Sequence, residues 1–238
     1  MVSEKDYRIN YDWKSWAAPK HTKVRNNYMS IVLFGASGVI GRAILQEALK
    51  RKHEITAAVR VPEQLDIVHE RLRTVKVDIL DPKSVSAAAV GHEAAISAYG
   101  PDFGHEHDLL KAASSLVEGL SDAGLKRLVI VGGAGSLRTE SGEMLMDSPE
   151  FPAELRPLAA AHADAYEIFS GSQLDYSYAS PAAVIQPGRR TGQFRLGLDR
   201  LVVDENGNSV ISVDDYAVAI VDELEEGNYI GTRFTVAY

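Results

Sequence analysis

The sequence predicts an α/β fold: a doubly wound parallel sheet with helices on both faces and a small C-terminal lobe. Strand and helix patterns alternate along most of the chain, which favours parallel strands joined by right-handed crossovers. The runs "IVLF" and "LVIV" are apolar throughout, as strands covered on both faces require. Three glycines, Gly35, Gly38 and Gly41, separate the first strand from the first helix.

The first half of the chain is predicted to contain four strands, each followed by a helix. The strands are "SIVLFG", "EITAAVR", "LRTVKVD" and "HEAAISAYG". The helices are "GRAILQEALKRK", "PEQLDIVHE", "DPKSVSAAAV" and "HDLLKAASSLVEGLSDAG". A proline begins the second helix, Asp81 is predicted to cap the third, and Gly124 is predicted to end the fourth.

The second half continues with the strand "LKRLVIVGG", the helix "AELRPLAAAHADAYEIFSGS" and the strand "LDYSYASP". From about residue 186 the pattern changes, and two strand-like runs flank the turn signal Asn206-Gly207. The helix "VDDYAVAIVDELEEG" and the strand "RFTVAY" complete the chain. We interpret residues 29–238 as a single domain, with residues 186–211 as a small insertion on the substrate side.

The composition is that of a globular protein with one sizeable core, since 45% of the 238 residues are hydrophobic and 24% are charged. There is no cysteine, which excludes disulfide and thiolate chemistry. The net charge of -8 argues against a nucleic-acid partner. No apolar run approaches the roughly 18 residues that span a membrane. We therefore expect a cytoplasmic protein without nucleic-acid or membrane partners.

Residues 1–28 form a basic arm with a net charge of +3 and contain both tryptophans, Trp13 and Trp16. One interpretation is an appended tail. The other is an arm that packs the tryptophans on the acidic body of its own or a neighbouring protomer. A homodimer is among the expectations.

The loop Gly35-Ala36-Ser37-Gly38-Val39-Ile40-Gly41 follows a strand and opens a helix. In that context it predicts a Rossmann-type dinucleotide site. The first glycine permits a tight turn, the second lets the backbone approach a pyrophosphate, and the third lets the helix lie close to the strand. The start of the helix offers free N–H groups and the positive end of its dipole to the phosphates.

The choice of cofactor depends on the end of the second strand. An NAD site usually has an acidic residue there, which binds the 2′-hydroxyl of the ribose. This chain has Arg60, which can pair with a 2′-phosphate, and Arg42 is a second candidate partner. We therefore predict that NADPH is preferred over NADH. The alternative is that Arg60 is a solvated surface residue.

The remaining cofactor contacts are predicted at the other strand ends, where this fold binds its ligands. Asp78 is suited to accept from the adenine amino group, and a local capping role is the alternative. The segment ending the fourth strand should run beside the nicotinamide ribose. The predicted contacts are Asp78, Ile79, Ala98, Tyr99, Gly100, Gly133, Ser180 and Pro181.

The Tyr-x-x-x-Lys motif that usually protonates a carbonyl substrate is missing. Tyr166 lies in the right helix, but Ser170 follows it where lysine is expected. Ser136 is near the position of the usual serine, and we name Tyr166 and Ser136 as the catalytic candidates. Hydride transfer to a flavin needs mainly an apolar slot over the nicotinamide. Candidates for that slot are Tyr99, Phe103, Phe151, Tyr166, Pro181 and Phe194.

The stretches "GASGVIGRAIL", "VKVDILDP", "KRLVIVGGAGSL" and "SPAAVIQPGRRTGQFRLG" resemble the bacterial NADH–flavin reductase-like proteins. These are atypical short-chain dehydrogenases near the NmrA-like group, and the resemblance covers residues 30–238. It implies that Ser180-Pro181 passes the nicotinamide carboxamide. The chain is more distantly similar to flavin/biliverdin-IXβ reductase, which uses NADPH. In that reductase, the arginine after the second strand corresponds to Arg60 of this chain. Its serine after the fifth strand falls near Ala134, and its histidine falls near Tyr166.

Two functions of different class remain. The first is an NAD(P)H-dependent reductase that transfers hydride to a flavin, quinone or similar conjugated acceptor. The second is a non-catalytic regulator that senses NADP(H). Arg189 and Arg190 could meet an anionic substrate or be solvated. We expect no metal, because His105 and His107 do not share a helix face, and His162 is interpreted as a surface or core residue.

Overall fold

The fold is built on an eight-stranded sheet, seen in a computed structural model that describes residues 28–238. Trp13 and Trp16 of the predicted arm therefore lie outside the described residues. The strands are β1 Ser30–Phe34, β2 Glu54–Val59, β3 Leu72–Lys76, β4 Ala94–Ser97, β5 Arg127–Val131, β6 Asp175–Ser180, β7 Val184–Gln186, β8 Arg195–Gly197, β9 Val210–Ser212 and β10 Thr232–Ala237.

The large sheet has the order β3-β2-β1-β4-β5-β6-β10-β8. Its strands run parallel except for β8, which pairs antiparallel with β10. β7 and β9 form a separate parallel pair. The order reverses between β1 and β4, which places a crevice at the carboxyl ends of those strands. This arrangement confirms the predicted doubly wound, Rossmann-type α/β fold.

Helices cover both faces of the sheet. They are α1 Val39–Lys50, α2 Pro82–Ala89, α3 Asp108–Asp122, α4 Arg156–Ser170 and α5 Val213–Glu226. In β1, Ile31 and Leu33 belong to the core under α1 and α5, whereas Val32 and Phe34 belong to the core under α2, α3 and α4. All four side chains are buried, which explains why the strand is apolar throughout. Within residues 28–238, no helix has the length and apolarity needed to traverse a bilayer.

The predicted helix boundaries at Asp81 and Gly124 are confirmed. The Asp81 carboxylate accepts a hydrogen bond of 3.0 Å from the N–H of Lys83 at the start of α2. Gly124 follows α3 with a φ of +72°, the left-handed conformation that glycine adopts most readily.

The short helix predicted in "PEQLDIVHE" is wrong. Only one 3₁₀ turn forms, over Pro62–Gln64. The proline sets up the first turn, but the apolar residues after it do not share one helix face. Leu65 and Ile67, two residues apart, pack against the core, whereas Val68 is almost fully exposed. Arg42 instead fixes the segment, donating to the carbonyl of Gln64 and to the carboxylate of Asp66.

The turn predicted at Asn206-Gly207 forms, and Gly207 has a φ of +82°. The Asp204 carboxylate accepts from the N–H groups of Asn206 and Asn208 at 2.9 and 2.8 Å. The runs on either side do not pair with each other, however. β8 joins the large sheet beside β10, and β9 pairs with β7, so long-range partners determine the strands of this region.

Candidate functional site

A cleft of about 330 Å³ lies at the carboxyl ends of β1 to β4, and we call it the first cleft. It coincides with the reversal of strand order, where α/β sheets bind their ligands. Its lining residues are Gly35, Ser37, Gly38, Arg42, Ala58, Val59, Arg60, Gln64, Val77, Ile79, Ala98, Tyr99, Gly100 and Asp102.

The three glycines of the loop meet different requirements. Gly35 has a φ of +78°, and a Cβ atom there would lie 2.5 Å from the carbonyl oxygen of Ala98. At Gly41 a Cβ atom would lie 2.0 Å from the carbonyl oxygen of Gly35. Packing within the chain therefore demands glycine at both positions. At Gly38 the nearest such atom is 3.6 Å away, so internal packing does not demand glycine there.

The start of α1 is suited to bind an anion. Gly38 is the N-cap residue; no side chain caps the helix, and its first turn has no acidic residue. The free N–H groups and the positive end of the dipole therefore have no competing carboxylate within the helix. Because Gly38 also leaves open the space that a side chain would fill, the loop fits the pyrophosphate of a dinucleotide.

The two arginines predicted to select the cofactor both line the first cleft. Arg42 is held by the carbonyl of Ser37 at 3.1 Å, the carbonyl of Gln64 at 2.8 Å and the carboxylate of Asp66 at 2.5 Å. Arg60 has only a loose ion pair of 3.5 Å with Asp102, and its side chain is 68% exposed. Arg60 is therefore the less restrained of the two cations.

Some of the other residues predicted to bind the cofactor line the first cleft, and the rest do not. Ile79, Ala98, Tyr99 and Gly100 line the first cleft. Burial raises the pKa of Tyr99, and the charge of Asp108 adds to the effect. The Asp78 carboxylate accepts from the N–H of Leu80 at 3.0 Å, so it makes the local contact that was the alternative to binding adenine. Ala36, Val39, Ile40 and Gly41 do not line the cleft; Ala36 and Gly41 are buried behind it.

A second cleft, of about 290 Å³, lies at the carboxyl ends of β5 and β6 and against α4. It continues along the same edge of the sheet. Pro181 and Gly133, both predicted as cofactor contacts, lie in it. Its lining is Gly133, Ala134, Gly135, Leu145, Phe151, Leu155, Leu158, Ala159, His162, Pro181, Ala182, Ala183 and Ile185.

His162 is the one titratable side chain among the described residues that line the second cleft. Burial lowers its pKa to about 4, so the ring is neutral near pH 7. The hydroxyl of Tyr178 donates to the carbonyl oxygen of His162 at 2.8 Å and lies 3.4 Å from Nδ1. The sequence analysis gave His162 no role. Its place one helical turn before Tyr166, towards the carboxyl edge of the sheet, is the signal that could have found it.

Tyr166 and Ser136, the predicted catalytic pair, are not among the residues that line either cleft. Both contact Arg233 of β10. Its Nη1 donates to the Ser136 hydroxyl at 2.8 Å, and its guanidinium carbon lies 5.1 Å from the centre of the Tyr166 ring. Arg233 also donates to the carboxylate of Asp199. The structure thus brings the pair together around a buried cation, and their catalytic roles stay predictions.

Ser180 ends β6 beside the second cleft. Its hydroxyl oxygen is buried and has no hydrogen-bond partner among the described residues. A buried hydroxyl without a partner is unusual and costs free energy. Ser180 is fully buried and lines neither cleft. Its predicted contact with the cofactor stays a prediction.

The residues predicted to form an apolar slot over the nicotinamide do not lie together in one cleft. Tyr99 lines the first cleft, and Phe151 and Pro181 line the second. Phe103 is 73% exposed, whereas Phe194 packs against the core under α1 and α5.

The paired histidines do not assemble a metal site in the described part of the chain. His105 and His107 are exposed and lie near Asp108, at 3.8 and 3.2 Å. No group of three or more His, Asp or Glu side chains within residues 28–238 could hold a metal ion. The expectation of no metal stays a prediction.

The fold and the first cleft define a nucleotide-binding α/β protein of the Rossmann type. The family described as NAD(P)H-binding matches residues 35–226, and the chain belongs to it. This finding agrees with the resemblance to atypical short-chain dehydrogenases. A curated relative, the uncharacterized protein YwnB of Bacillus subtilis, is 37% identical over 212 residues, which cover 87% of this chain and 98% of the relative.

Solved structures of bacterial proteins are also similar. A proposed exported protein from Burkholderia pseudomallei is 44% identical with a TM-score of 0.81, covering 88% of this chain and 100% of that one. A proposed epimerase from Bacteroides thetaiotaomicron is 42% identical with a TM-score of 0.83, covering 89% and 97%. A proposed NADH-flavin reductase from Streptococcus pneumoniae is 33% identical with a TM-score of 0.77, covering 88% and 99%. This chain is therefore an NAD(P)H-binding protein.

Proposed function

We propose that this protein is an NADPH-dependent reductase that transfers a hydride to a flavin, a quinone or a similar conjugated acceptor. The first cleft holds the dinucleotide, and the second cleft holds the acceptor. The observation that carries the proposal is Gly38, which packing within the chain does not require and which opens onto the first cleft at the start of α1. The name of the Streptococcus pneumoniae protein agrees with this activity.

The chain's own groups bind and orient the reactants in this proposal. The cofactor supplies a hydride from the nicotinamide ring when it is bound. The loop at Gly38 and the start of α1 hold the pyrophosphate, and Arg60 meets the 2′-phosphate. Ser180 and Pro181 lie where β6 ends, beside the nicotinamide. The apolar walls of the second cleft exclude water and stack the acceptor, so catalysis rests largely on positioning.

The alternative is a regulator that binds NADP(H) without turning it over. Purified protein separates the two when NADPH and NADH oxidation is measured with flavins and a small set of quinones. Turnover well above the rate without protein supports the reductase. Tight NADPH binding without turnover of any acceptor would contradict it and favour the regulator.

A single substitution tests the binding step. In Gly38→Ala the new Cβ atom enters space that the pyrophosphate needs, and Gly38 has a φ of -73° and a ψ of 168° that alanine also adopts. We expect NADPH to bind at least about tenfold more weakly, a loss of about 1.4 kcal/mol, with an unchanged unfolding midpoint. Gly171→Ala, at the end of α4, is the matched control. Unchanged NADPH affinity in Gly38→Ala would refute this placement of the cofactor.

Two further expectations belong to the proposal. They are a homodimer and a cytoplasmic location. Sedimentation of the full-length protein tests the first, and fractionation of the source cells tests the second.

A further inference from the structure

The second cleft has a lining without any residue that is charged at neutral pH. Twelve of its lining residues are apolar or glycine, and the remaining one is His162. Burial keeps that imidazole neutral near pH 7 by lowering its pKa to about 4. No lining residue therefore compensates a charge on a bound molecule, and burying an uncompensated charge is costly.

The rim of the second cleft is acidic. Residues 139–155 contribute Leu145, Phe151 and Leu155 to the lining. The same segment contains no Lys, Arg or His. It carries five exposed carboxylates: Glu140, Glu143, Asp147, Glu150 and Glu154. Even with the flanking Arg138 and Arg156 included, the stretch keeps a net charge of -3.

The two arginines that flank this segment bind backbone carbonyl groups within it, and neither lines the second cleft. Arg138 donates to the carbonyl of Gly142 at 2.8 Å, and Arg156 donates to the carbonyl of Ser148 at 3.1 Å. Arg190, one of the two arginines considered for an anionic substrate, forms a bidentate pair with Glu47, with both hydrogen bonds at 2.8 Å. Arg189 is exposed and is not among the residues that line either cleft. Among the described residues, the lining of the second cleft therefore contains no cation that could receive a phosphate.

We propose that the second cleft takes an uncharged conjugated ring, such as a quinone or the bare isoalloxazine ring, and discriminates against ring systems that carry a phosphate. This inference rests on the proposed reductase function and narrows its substrate class. The acceptor gains the hydride of NADPH and one proton from water. It is thereby reduced by two electrons, and NADP⁺ is left.

The test compares lumiflavin, which is the bare ring with a methyl group, with FMN, which carries the same ring and a phosphate. Rates of NADPH oxidation give kcat/KM for each, with menadione as the quinone probe. Fluorescence titration of the NADP⁺-loaded protein gives their dissociation constants independently of turnover. We expect lumiflavin to have a kcat/KM at least about tenfold higher, and a dissociation constant at least about tenfold lower, than FMN. Raising the salt concentration should narrow the difference, because ions screen the repulsion at the rim.

A charge-removing variant locates the effect. Asp147→Asn/Glu154→Gln removes two rim carboxylates that make no side-chain hydrogen bond with described residues. It should lower the ratio of the lumiflavin kcat/KM to the FMN kcat/KM. Glu118→Gln/Asp122→Asn removes two exposed carboxylates from α3 instead and serves as the matched control. An equal change in both variants would show that net charge alone is responsible and would overturn the role of the rim.

The outcomes distinguish this inference from the reductase itself. If FMN is bound and reduced as well as lumiflavin, the inference is overturned and the reductase stands. If no acceptor is reduced, the reductase is overturned, and the binding titration still decides the inference. Lumiflavin bound more tightly than FMN supports a cleft for uncharged rings, whereas equal affinity, or no binding of either, overturns it.

Discussion

Arg60 and Arg42 line the same cleft but differ in how many groups hold their side chains in place. Arg42 has three hydrogen-bond partners and links the start of α1 to the loop after β2. Arg60 has one loose partner, the exposed carboxylate of Asp102. Such an exposed pair contributes little to stability, so Arg60 can exchange it for a phosphate at low cost.

Arg60→Ala should therefore weaken NADPH binding about tenfold or less and leave NADH binding nearly unchanged. A charge-assisted hydrogen bond contributes about 1.5–3 kcal/mol, and the exposure of Arg60 reduces that value. Titration of both cofactors against wild type and variant measures the ratio. Arg73→Ala removes an exposed arginine of β3 outside the first cleft and serves as the control. An unchanged ratio of NADPH to NADH affinity in Arg60→Ala would show that the arginine is a solvated surface residue.

His162 should make the stability of the protein sensitive to acid. Its pKa is about 4 in the folded protein and about 6.5 in an unfolded chain. The unfolded chain therefore binds more protons than the folded protein between these values. The stability that neutral His162 contributes is fully present above about pH 6.5 and is lost as the pH falls towards 4. The contribution is at most about 3 kcal/mol. Denaturant unfolding at pH 7.5 and pH 4.5 gives the free energy of unfolding at each pH. The difference between the two free energies should be smaller in His162→Gln than in wild type.

The sequence predicted where the candidate catalytic residues lie but not which side chains they contact. Position along the chain correctly suggested that Ser136 follows β5 and that Tyr166 lies in the neighbouring helix. It could not reveal Arg233, which lies far along the chain and takes up the Ser136 hydroxyl. A side chain's partner depends on the tertiary fold, whereas glycine spacing in a turn depends on local geometry. The glycine loop was therefore predictable and the partners of Ser136 were not.

At the scale of elements, Glu223 ties α5 to two strands of the sheet. Its carboxylate accepts from Arg127 of β5 at 2.9 Å and from Ser177 of β6 at 2.6 Å. It also accepts from the N–H of Tyr229, at 3.1 Å. Glu223 is only 3% exposed, so its charge depends on these partners.

Glu223→Gln should destabilise the protein by about 3 kcal/mol, because it leaves the largely buried guanidinium of Arg127 without its counter-charge. The unfolding midpoint in urea measures the loss. Glu226→Gln, at the exposed end of the same helix, should change stability by less than about 0.5 kcal/mol. Equal stability of the two variants would mean that the ion pair contributes little beyond its hydrogen bonds.

Sequence patterns predicted the elements well where local signals agree with packing. Asp81 and Gly124 mark helix ends through contacts made within a few residues. The segment after Pro62 and the run around Asn206-Gly207 were harder. In both, the observed structure depends on distant partners, Arg42 for the first and β10 for the second. Turn residues identify where a chain reverses, but they do not identify which strand it will join.

At the scale of the whole molecule, the two clefts lie side by side along one edge of the sheet. Strands β1 to β4 serve the first cleft, and β5, β6 and α4 serve the second. A molecule that extends across this edge therefore contacts most of the elements of the large sheet, and its binding should stabilise the fold as a unit.

NADPH at about 100 times its dissociation constant should stabilise the protein by about 2.7 kcal/mol. For a protein of this size, that corresponds to a rise in melting temperature of roughly 5–10 °C. Thermal unfolding with and without NADPH measures the shift. Gly38→Ala at the same NADPH concentration should show a clearly smaller rise. An equal rise in the two proteins would mean that the stabilising site lies elsewhere.

Arg233 has a consequence for the order in which the molecule is completed during translation. The ribosome makes the chain from its amino end, and the residues of the first cleft, 35–102, emerge early. The loop that carries Ser136 emerges later, and its anchor on β10 emerges later still. The loop after β5 that lines the second cleft is therefore made well before the arginine that anchors it.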